Sequence, residues 1–244
     1  MKKAILLTIV LIAFNLIATK NTFSQIVAEN PAKQYKNTNV LLITDDNYGS
    51  SFVYGEKKNK SIKKQFEDFG WNMTIASIKD TVMPCDWGKK TLNTKPMSLT
   101  SNIVEIKNPS EFDAIIILPG RGYPNLINNI EVLNFLKKAN QEEIIIAAWC
   151  RGVRLLAAAD IIKGKNVIGH FDYFDEYKAA GANYIEYSFK FENGEKLFKN
   201  VTPPIKDGNI ITTVRSLYYR NEMSKLIKEA IEEKIDSRKK LIEF

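Results

Sequence analysis

The chain has 244 residues, of which 45% are hydrophobic, so it can bury a sizeable core within one domain. Lysine and arginine outnumber aspartate and glutamate by 35 to 28, which gives a formal net charge of +7. The basic residues are mixed with acidic ones, as in EKKNKSIKKQFED and EAIEEKIDSRKK. This mixture is typical of solvated helix faces, and without a basic stripe and interleaved aromatic residues it does not favour nucleic-acid binding.

Residues 1–24 have the layout of a secretory signal peptide. Two lysines follow Met1, the run from Ala4 to Ala18 is almost entirely apolar, and cleavage is expected after Ser24. The run is shorter than the ~20 residues that a membrane-spanning helix needs, which favours a cleaved signal peptide. An uncleaved membrane anchor is the alternative. We therefore expect an exported protein, periplasmic or extracellular, that keeps no stable membrane anchor after cleavage.

Strands and helices alternate along residues 39–244, which we expect to form one domain after a polar lead-in at 25–38. Continuous apolar runs predict buried strands at 39–44, 71–77, 112–118, 143–149, 166–170 and 207–214. Apolar residues at helical spacing predict helices at 61–70, 130–141, 151–162, 174–182 and 219–235, the first ending at Gly70. Buried Val, Ile and Leu runs that alternate with helices indicate an α/β fold with a parallel sheet covered on both faces.

Two stretches depart from this alternation. Residues 78–110 show few periodic signals and are longer than a simple connection requires, so we expect them to cover or line something. Residues 183–198 are predicted to be extended segments around an Asn193-Gly194 turn.

Cys150 is one of only two cysteines, and it follows a buried strand directly. In an open α/β sheet, ligands bind outside the carboxyl ends of the strands. A nucleophile on a tight strand-to-helix turn is lifted out of the sheet, and Gly152 supplies the clearance that such a turn needs. The N-terminus of the following helix favours a thiolate, which is the reactive form of cysteine. The alternative is a buried and inert cysteine.

Cys85 lies in the loop-like stretch VMPCDWGKK. Two cysteines in an exported protein raise the question of a Cys85–Cys150 disulfide. Pairing requires the loop to fold over the end of the strand, and the sequence leaves that geometry open.

Three stretches together resemble the ThiJ/PfpI family, which is related to class I glutamine amidotransferase domains. They are FDAIIILPGRGYPNL, IIIAAWCRGVRLLAAADIIKGKNVIGH and DGNIITTVRS. The similarity follows the order of elements from Val40 to Glu233 and is closest from Phe112 to His170. It implies a three-layer flavodoxin-like sandwich with a mainly parallel sheet and with Cys150 as the nucleophile. It also implies an oxyanion site formed by the N–H of Arg151 and the turn at Gly120 and Arg121.

The resemblance suggests partners for the cysteine. His170, the only histidine, occupies a position like that at which some family members hold a histidine near the nucleophile, and it is either an acid/base partner or a structural residue. The family's glutamate has no clean counterpart here: Glu56 is the preferred candidate, Asp45 and Asp46 are the alternatives, and each is otherwise an ordinary loop or cap residue. A chain with one histidine has no His-rich metal cluster, and we expect neither a metal nor a cofactor.

Three arginines mark departures from the family pattern. Arg151 stands where the peptidase-like relatives often have histidine, Arg121 replaces the second glycine of a Pro-Gly-Gly turn, and Arg215 aligns only with a one-residue shift. Arg121 and Arg151 either converge on a pocket that prefers an anionic ligand or face solvent. Four aromatic residues either line such a pocket or belong to the core: Tyr123, Trp149, Tyr218 and Tyr219.

Two functions from different classes follow. The first is a cysteine-dependent hydrolase or an aldehyde-processing enzyme of the glyoxalase or deglycase type, acting on a small-molecule or peptide substrate. The second is a non-catalytic redox-sensing or ligand-binding member of the same superfamily, which the departures from the pattern favour. A homodimer is expected only by analogy with relatives.

Overall fold

The structure is a computed structural model that describes residues 37–55, 59–85, 95–192, 195–199, 202–216 and 218–242. The predicted signal peptide and nearly all of the predicted lead-in lie outside these residues. The strands are β1 Asn39–Ile43, β2 Asn47–Tyr48, β3 Asn72–Ser77, β4 Thr81–Pro84, β5 Met97–Ser98, β6 Ser101–Asn102, β7 Ala114–Ile117, β8 Ile145–Trp149, β9 Asn166–Val167, β10 Asn183–Tyr184, β11 Ser188–Glu192, β12 Glu195–Lys199, β13 Ile205–Asp207 and β14 Ile210–Thr213. The α-helices are α1 Ile62–Asp68, α2 Ile130–Gln141, α3 Val153–Ala158, α4 Phe174–Ala179 and α5 Arg220–Ile242.

The central sheet has seven strands in the order β13-β14-β8-β7-β1-β3-β6. Each neighbouring pair is parallel except β13 and β14, which form an antiparallel edge. Parallel strands require crossovers through helices, and those helices cover both faces of the sheet. The predicted α/β fold with a mainly parallel sheet is confirmed.

Strand β1 shows how the three layers are held together. Leu41 and Ile43 belong to a buried cluster on one face of the sheet, where α2 and α3 pack. Val40 and Leu42 point the other way, into a second cluster that includes residues of α1 and α5. Because all four side chains are fully buried, the apolar run of this strand is continuous rather than alternating.

Local signals determine where α1 begins and ends. The Ser61 hydroxyl accepts a hydrogen bond from the Lys64 N–H at 3.1 Å and so caps the first turn. Gly70 has φ +75, a left-handed conformation that glycine adopts at little cost after a helix. The predicted end of the helix at Gly70 is confirmed.

The predicted strand at 166–170 differs most from the structure. Only β9 is a strand there, and it pairs with β10 instead of joining the central sheet. Side chains replace the missing ladder: the Asn166 N–H donates to the Asp207 carboxylate at 2.8 Å, and the Ile168 N–H donates to Thr212 Oγ1 at 3.0 Å. The segment therefore runs beside the end of the sheet as an irregular connection.

Several other stretches refine the predicted boundaries. Residues 78–110 contain β4, β5 and β6, of which β6 extends the central sheet and the other two pair in a small sheet with β2. Strands β11 and β12 form the expected antiparallel pair, and their turn at 193–194 lies outside the described residues. The predicted strand at 207–214 is confirmed as β14, which begins after a hairpin turn at Gly208, where φ is +63, and pairs with β13. No helix within the described part of the chain is long and apolar enough to cross a membrane.

We predict that Leu41→Ala lowers the free energy of unfolding by about 2–5 kcal/mol, because it removes a fully buried side chain and leaves a cavity in the core. The matched control is Leu241→Ala, whose side chain is 79% exposed and whose loss should change stability by less than ~0.5 kcal/mol. Urea unfolding monitored by circular dichroism measures both. Equal losses for the two variants would contradict the position of β1 at the centre of the sheet.

Candidate active site

A cavity of about 350 Å³ lies at the carboxyl ends of the central strands. Parallel strands bring these ends to one edge of the sheet, so the turns that follow different strands meet there. The volume suits a small molecule better than a length of peptide. The residues that line it are Gly49, Ser50, Ser51, Cys85, Pro119, Gly120, Arg121, Cys150, Arg151, Arg215 and Ser216.

Cys150 sits on a tight turn between β8 and α3. Its φ is +56, in the left-handed region that side chains other than glycine rarely adopt. The turn from Cys150 to Gly152 is 3-10 helical and leads directly into α3. The cysteine is 7% exposed and lines the cavity, so the strand-to-helix elbow expected from the sequence is present.

Gly152 allows this turn to approach the neighbouring strand. A Cβ atom at position 152 would lie 2.8 Å from Cγ2 of Ile117, which is the last residue of β7. Such a contact is far shorter than a normal carbon–carbon separation, so a side chain here would push the turn away from the sheet. The elbow therefore needs a glycine two residues after the cysteine.

The electrostatics of the thiol differ from the expectation of a stabilised thiolate. Burial raises the pKa of Cys150 to about 11. The charge of Arg151, its backbone N–H, which donates to the sulfur, and the charge of Arg215 all act in the opposite direction, while Asp172 adds to the increase in pKa. The neutral thiol therefore predominates at pH 7, because desolvation outweighs the arginines and the end of the helix.

The two backbone N–H groups of the expected oxyanion site, those of Arg151 and Arg121, have different hydrogen-bond partners. The Arg151 N–H points at the sulfur of Cys150. The Arg121 N–H instead donates to Asn47 Oδ1 at 3.0 Å, so it is not directed at the cavity in this arrangement. Gly120 lies against the same segment, and a Cβ atom there would be 3.0 Å from the carbonyl oxygen of Asn47.

His170 lies beside Cys150 through its backbone. Its N–H donates to the Cys150 carbonyl at 3.2 Å, and its side chain is buried and stacks on the Phe171 ring at 4.7 Å between centroids. The Asp172 N–H approaches Nδ1 at 3.2 Å. Asp172 Oδ2 lies 3.2 Å from the same Nδ1 and accepts a hydrogen bond from Arg151 Nη2 at 3.3 Å.

Asp172 is the site carboxylate that the sequence analysis missed. Glu56, the preferred candidate, lies outside the described residues. Asp45 anchors the chain after β7, since its oxygens accept hydrogen bonds from the Asn125 N–H at 2.9 Å, the Asn125 side chain at 2.7 Å and the Leu126 N–H at 3.3 Å. Asp46 accepts from the side chain of Asn47 at 2.7 Å. The sequence feature that could have indicated Asp172 is its position two residues after the only histidine.

The remaining candidates are also placed. Cys85 and Cys150 line the same cavity, and both are free thiols. Tyr123 and Trp149 are fully buried in the core, whereas Tyr218 is 42% exposed. Within the described residues, no three histidine, cysteine, aspartate or glutamate side chains are grouped so that they could hold a metal ion.

Comparison with known proteins places this geometry in a family context. Residues 61–229 match the model of the DJ-1/PfpI family. The chain is 36% identical over 81 residues to Protein DJ-1 homolog D of Arabidopsis thaliana, which covers 32% of this chain and 21% of that protein. A deglycase of Thermococcus kodakarensis is 31% identical over 80 residues, covering 32% and 48%. Deglycase PfpI of Pyrococcus furiosus is 27% identical over 122 residues, covering 50% and 69%. The matches thus span about a fifth and about half of the first two relatives.

Solved structures show the same fold. A ThiJ/PfpI domain protein from Brachyspira murdochii superposes with a TM-score of 0.61 at 17% identity, over 79% of this chain and 96% of that one. Drosophila melanogaster DJ-1beta superposes with a TM-score of 0.56 at 16% identity, over 81% and 90%. At these identities the similarity establishes the fold alone.

We predict that alkylation of Cys150 by iodoacetamide accelerates about tenfold per pH unit between pH 7 and 10 without levelling off. The thiolate is the reacting form, and a pKa of about 11 keeps its fraction rising across this range. A cysteine in an unstructured peptide, with a pKa near ~8.5, should level off above pH ~9 and serves as the reference. Peptide mapping by mass spectrometry measures the rate at Cys150, and a plateau near neutral pH would contradict the dominance of burial.

Proposed function

The chain belongs to the DJ-1/PfpI family, and from that premise we propose that it is an exported, cysteine-dependent enzyme that processes small aldehydes, as a glyoxalase or deglycase does. The observation that carries the proposal is the elbow cysteine, held in a left-handed conformation against a small cavity. A side chain in this conformation costs on the order of 1–3 kcal/mol, and such strain is concentrated at functional sites.

Two observations favour small aldehydes over peptides as substrates. The cavity of about 350 Å³ matches a small molecule. Two of the curated relatives are named deglycases. A cysteine-dependent hydrolase of small amides or esters would use the same nucleophile and the same donor at Arg151, so it is the alternative within the enzyme class.

The proposed reaction begins with addition of Cys150 to the aldehyde. The S–H bond breaks, the sulfur forms a bond with the aldehyde carbon, and the electron pair of the C=O bond moves to oxygen. The proton that left the sulfur ends on that oxygen and gives a neutral hemithioacetal. The Arg151 N–H, which already points at the sulfur, lies close to where the negative charge develops on oxygen.

A thiol with a raised pKa needs a base to take its proton as the new bond forms. His170 is the candidate, since its backbone N–H donates to the Cys150 carbonyl and Asp172 Oδ2, 3.2 Å from Nδ1, can accept a proton carried on Nδ1. With a 2-oxoaldehyde, the proton on the hemithioacetal carbon then moves to the adjacent carbonyl carbon. This internal transfer yields a thioester, which water cleaves to a 2-hydroxy acid and the free thiol, so no external oxidant or reductant is required.

Asp172 orients this pair in the proposal. Its carboxylate contacts both the imidazole of His170 and the guanidinium of Arg151 through one oxygen, Oδ2. A carboxylate that accepts the Nδ1 proton leaves Nε2 unprotonated, so that Nε2 can take the proton of the thiol in the proposed reaction. Asp172 is therefore a positioning residue.

Export is part of the proposal and rests on residues 1–24 alone. Their basic start, apolar run and small-residue end are typical of a cleaved signal peptide. An exported location would place the thiol outside the reducing cytosol.

We predict that Cys150→Ser lowers the kcat/KM for methylglyoxal by about 10³-fold or more, because it removes the nucleophile. Asp172→Asn should lower kcat by about tenfold and shift its pH profile while leaving KM nearly unchanged, since it acts through His170. Leu241→Ala, on the exposed end of α5, is the control for expression and folding. Full turnover of aldehydes and of small amides by the Cys150→Ser protein would contradict the proposal.

A second candidate function, a redox-responsive thiol, is favoured by one observation: Cys85 lines the same cavity as Cys150. A peroxide would transfer one oxygen to Cys150, giving a sulfenic acid and leaving water or an alcohol. The Cys85 thiol would then displace water from the sulfenic acid and form a disulfide.

For a redox-responsive thiol we predict that hydrogen peroxide at low molar excess oxidises Cys150 or joins it to Cys85 in a disulfide. Intact mass and peptide mapping measure both products. Thiols that stay unmodified under those conditions would rule it out.

A further inference from the structure

The cavity beside Cys150 receives arginines from three separate turns. Arg121 follows β7, Arg151 follows β8 and Arg215 follows β14, and all three line the same volume of about 350 Å³. Among the described residues that line it, none is acidic. The carboxylate of Asp172, which is not part of the lining, accepts a hydrogen bond from Arg151.

Hydroxyl groups add neutral donors to this wall. Ser51 and Ser216 are both buried, and their Oγ atoms are 2.5 Å apart on the side of the cavity formed by the turns after β2 and β14. Serine hydroxyls can donate to an oxyanion, and guanidinium groups bind carboxylates and phosphates through two parallel hydrogen bonds. The lining thus brings positive charge and hydroxyl groups to one side of the cavity.

We infer that the ligand of this cavity, and hence the substrate of Cys150, carries a carboxylate or phosphate group next to the carbonyl carbon that reacts. The inference deepens the proposed function, on which it rests for the step at sulfur. The oxyanion lies among Arg121, Arg215 and the two serines, and the carbonyl carbon lies over the thiol beside Arg151. The arginines therefore select the substrate.

The arginines also act on the thiol, and that effect must be separated from binding. Arg151 and Arg215 both lower the pKa of Cys150, so removing either one slows every reaction of the thiolate. A pair of reagents that differ only in charge cancels this effect, because the thiolate fraction enters both rates equally. Iodoacetate and iodoacetamide are such a pair, with nearly the same size and the same leaving group.

The test measures the rates at which the two reagents alkylate Cys150 at pH 8, resolved from Cys85 by peptide mapping. We expect iodoacetate to react faster than iodoacetamide at Cys150, the reverse of their order with an unstructured thiol peptide. Arg215→Gln and Arg121→Gln should each lower the iodoacetate-to-iodoacetamide ratio about 5–10-fold, a modest factor because both side chains are exposed. Arg215→Lys, which keeps the charge, should retain most of the preference.

Arg238→Gln is the matched control. Arg238 lies near the carboxyl end of α5 and within 4.0 Å of Asp113, which precedes β7 at the opposite edge of the sheet. The same charge is removed there, so an unchanged ratio shows that the effect is local and does not follow from net charge. An equal fall in the ratio for Arg238→Gln and Arg215→Gln would overturn the inference.

Competition by small anions shows whether the cavity binds a carboxylate or a phosphate group. Acetate and inorganic phosphate are each added at increasing concentration, and protection of Cys150 from iodoacetate is compared with the effect of sodium chloride at equal ionic strength. Protection beyond that of the salt supports the inference, and the anion that protects at lower concentration is the group carried by the substrate. Protection by neither anion overturns the inference, as does a Cys150 that reacts with neither alkylating reagent.

The outcomes separate this inference from the proposed enzyme. If Cys150 prefers iodoacetate to iodoacetamide while no aldehyde, amide or ester is turned over, the anion site is supported and the proposed enzyme activity is wrong. If methylglyoxal is turned over through Cys150 while Arg121→Gln and Arg215→Gln leave the alkylation ratio unchanged, the enzyme stands and the anionic substrate is wrong.

Discussion

The close approach of the Cys150 turn to the end of β7 is the constraint on which the site depends. Ile117 fills the space where a side chain on residue 152 would lie, so only glycine lets the turn seat against the sheet. In this close approach Cys150 has a positive φ, and its side chain lines the cavity. The strain of that conformation is tolerated because β8, α3 and the core around them over-determine the backbone.

Two opposing effects act on the thiol held there. Burial removes water that would solvate a thiolate, while the positive charges of Arg151 and Arg215 and the Arg151 N–H stabilise it. Burial prevails, partly because Arg215 is exposed and its charge is screened by solvent. An anionic ligand would neutralise part of the arginine charge and raise the pKa of the thiol further. In the proposed reaction, a nearby base is therefore more important than it would be for a preformed thiolate.

Asp172 links the two halves of the site through a single oxygen. The same Oδ2 contacts the imidazole of His170 and accepts a hydrogen bond from Arg151, so the orientation of the imidazole and the position of one cavity arginine depend on each other. The arrangement is anchored by backbone contacts, including the His170 N–H to the Cys150 carbonyl.

The sequence by itself determined the parallel α/β architecture, the position of Cys150 at the end of a buried strand and the need for glycine at 152, because these follow from periodicity and local turn chemistry. Only the tertiary structure decided the pKa of the thiol, since burial depends on elements that are distant along the chain. It also decided that 166–170 leaves the sheet, where side chains of Asp207 and Thr212 replace the ladder. The convergence of Arg215 with Arg121 and Arg151 has the same origin: strands far apart in sequence end at one edge of a sheet, and no local pattern records which turns meet there.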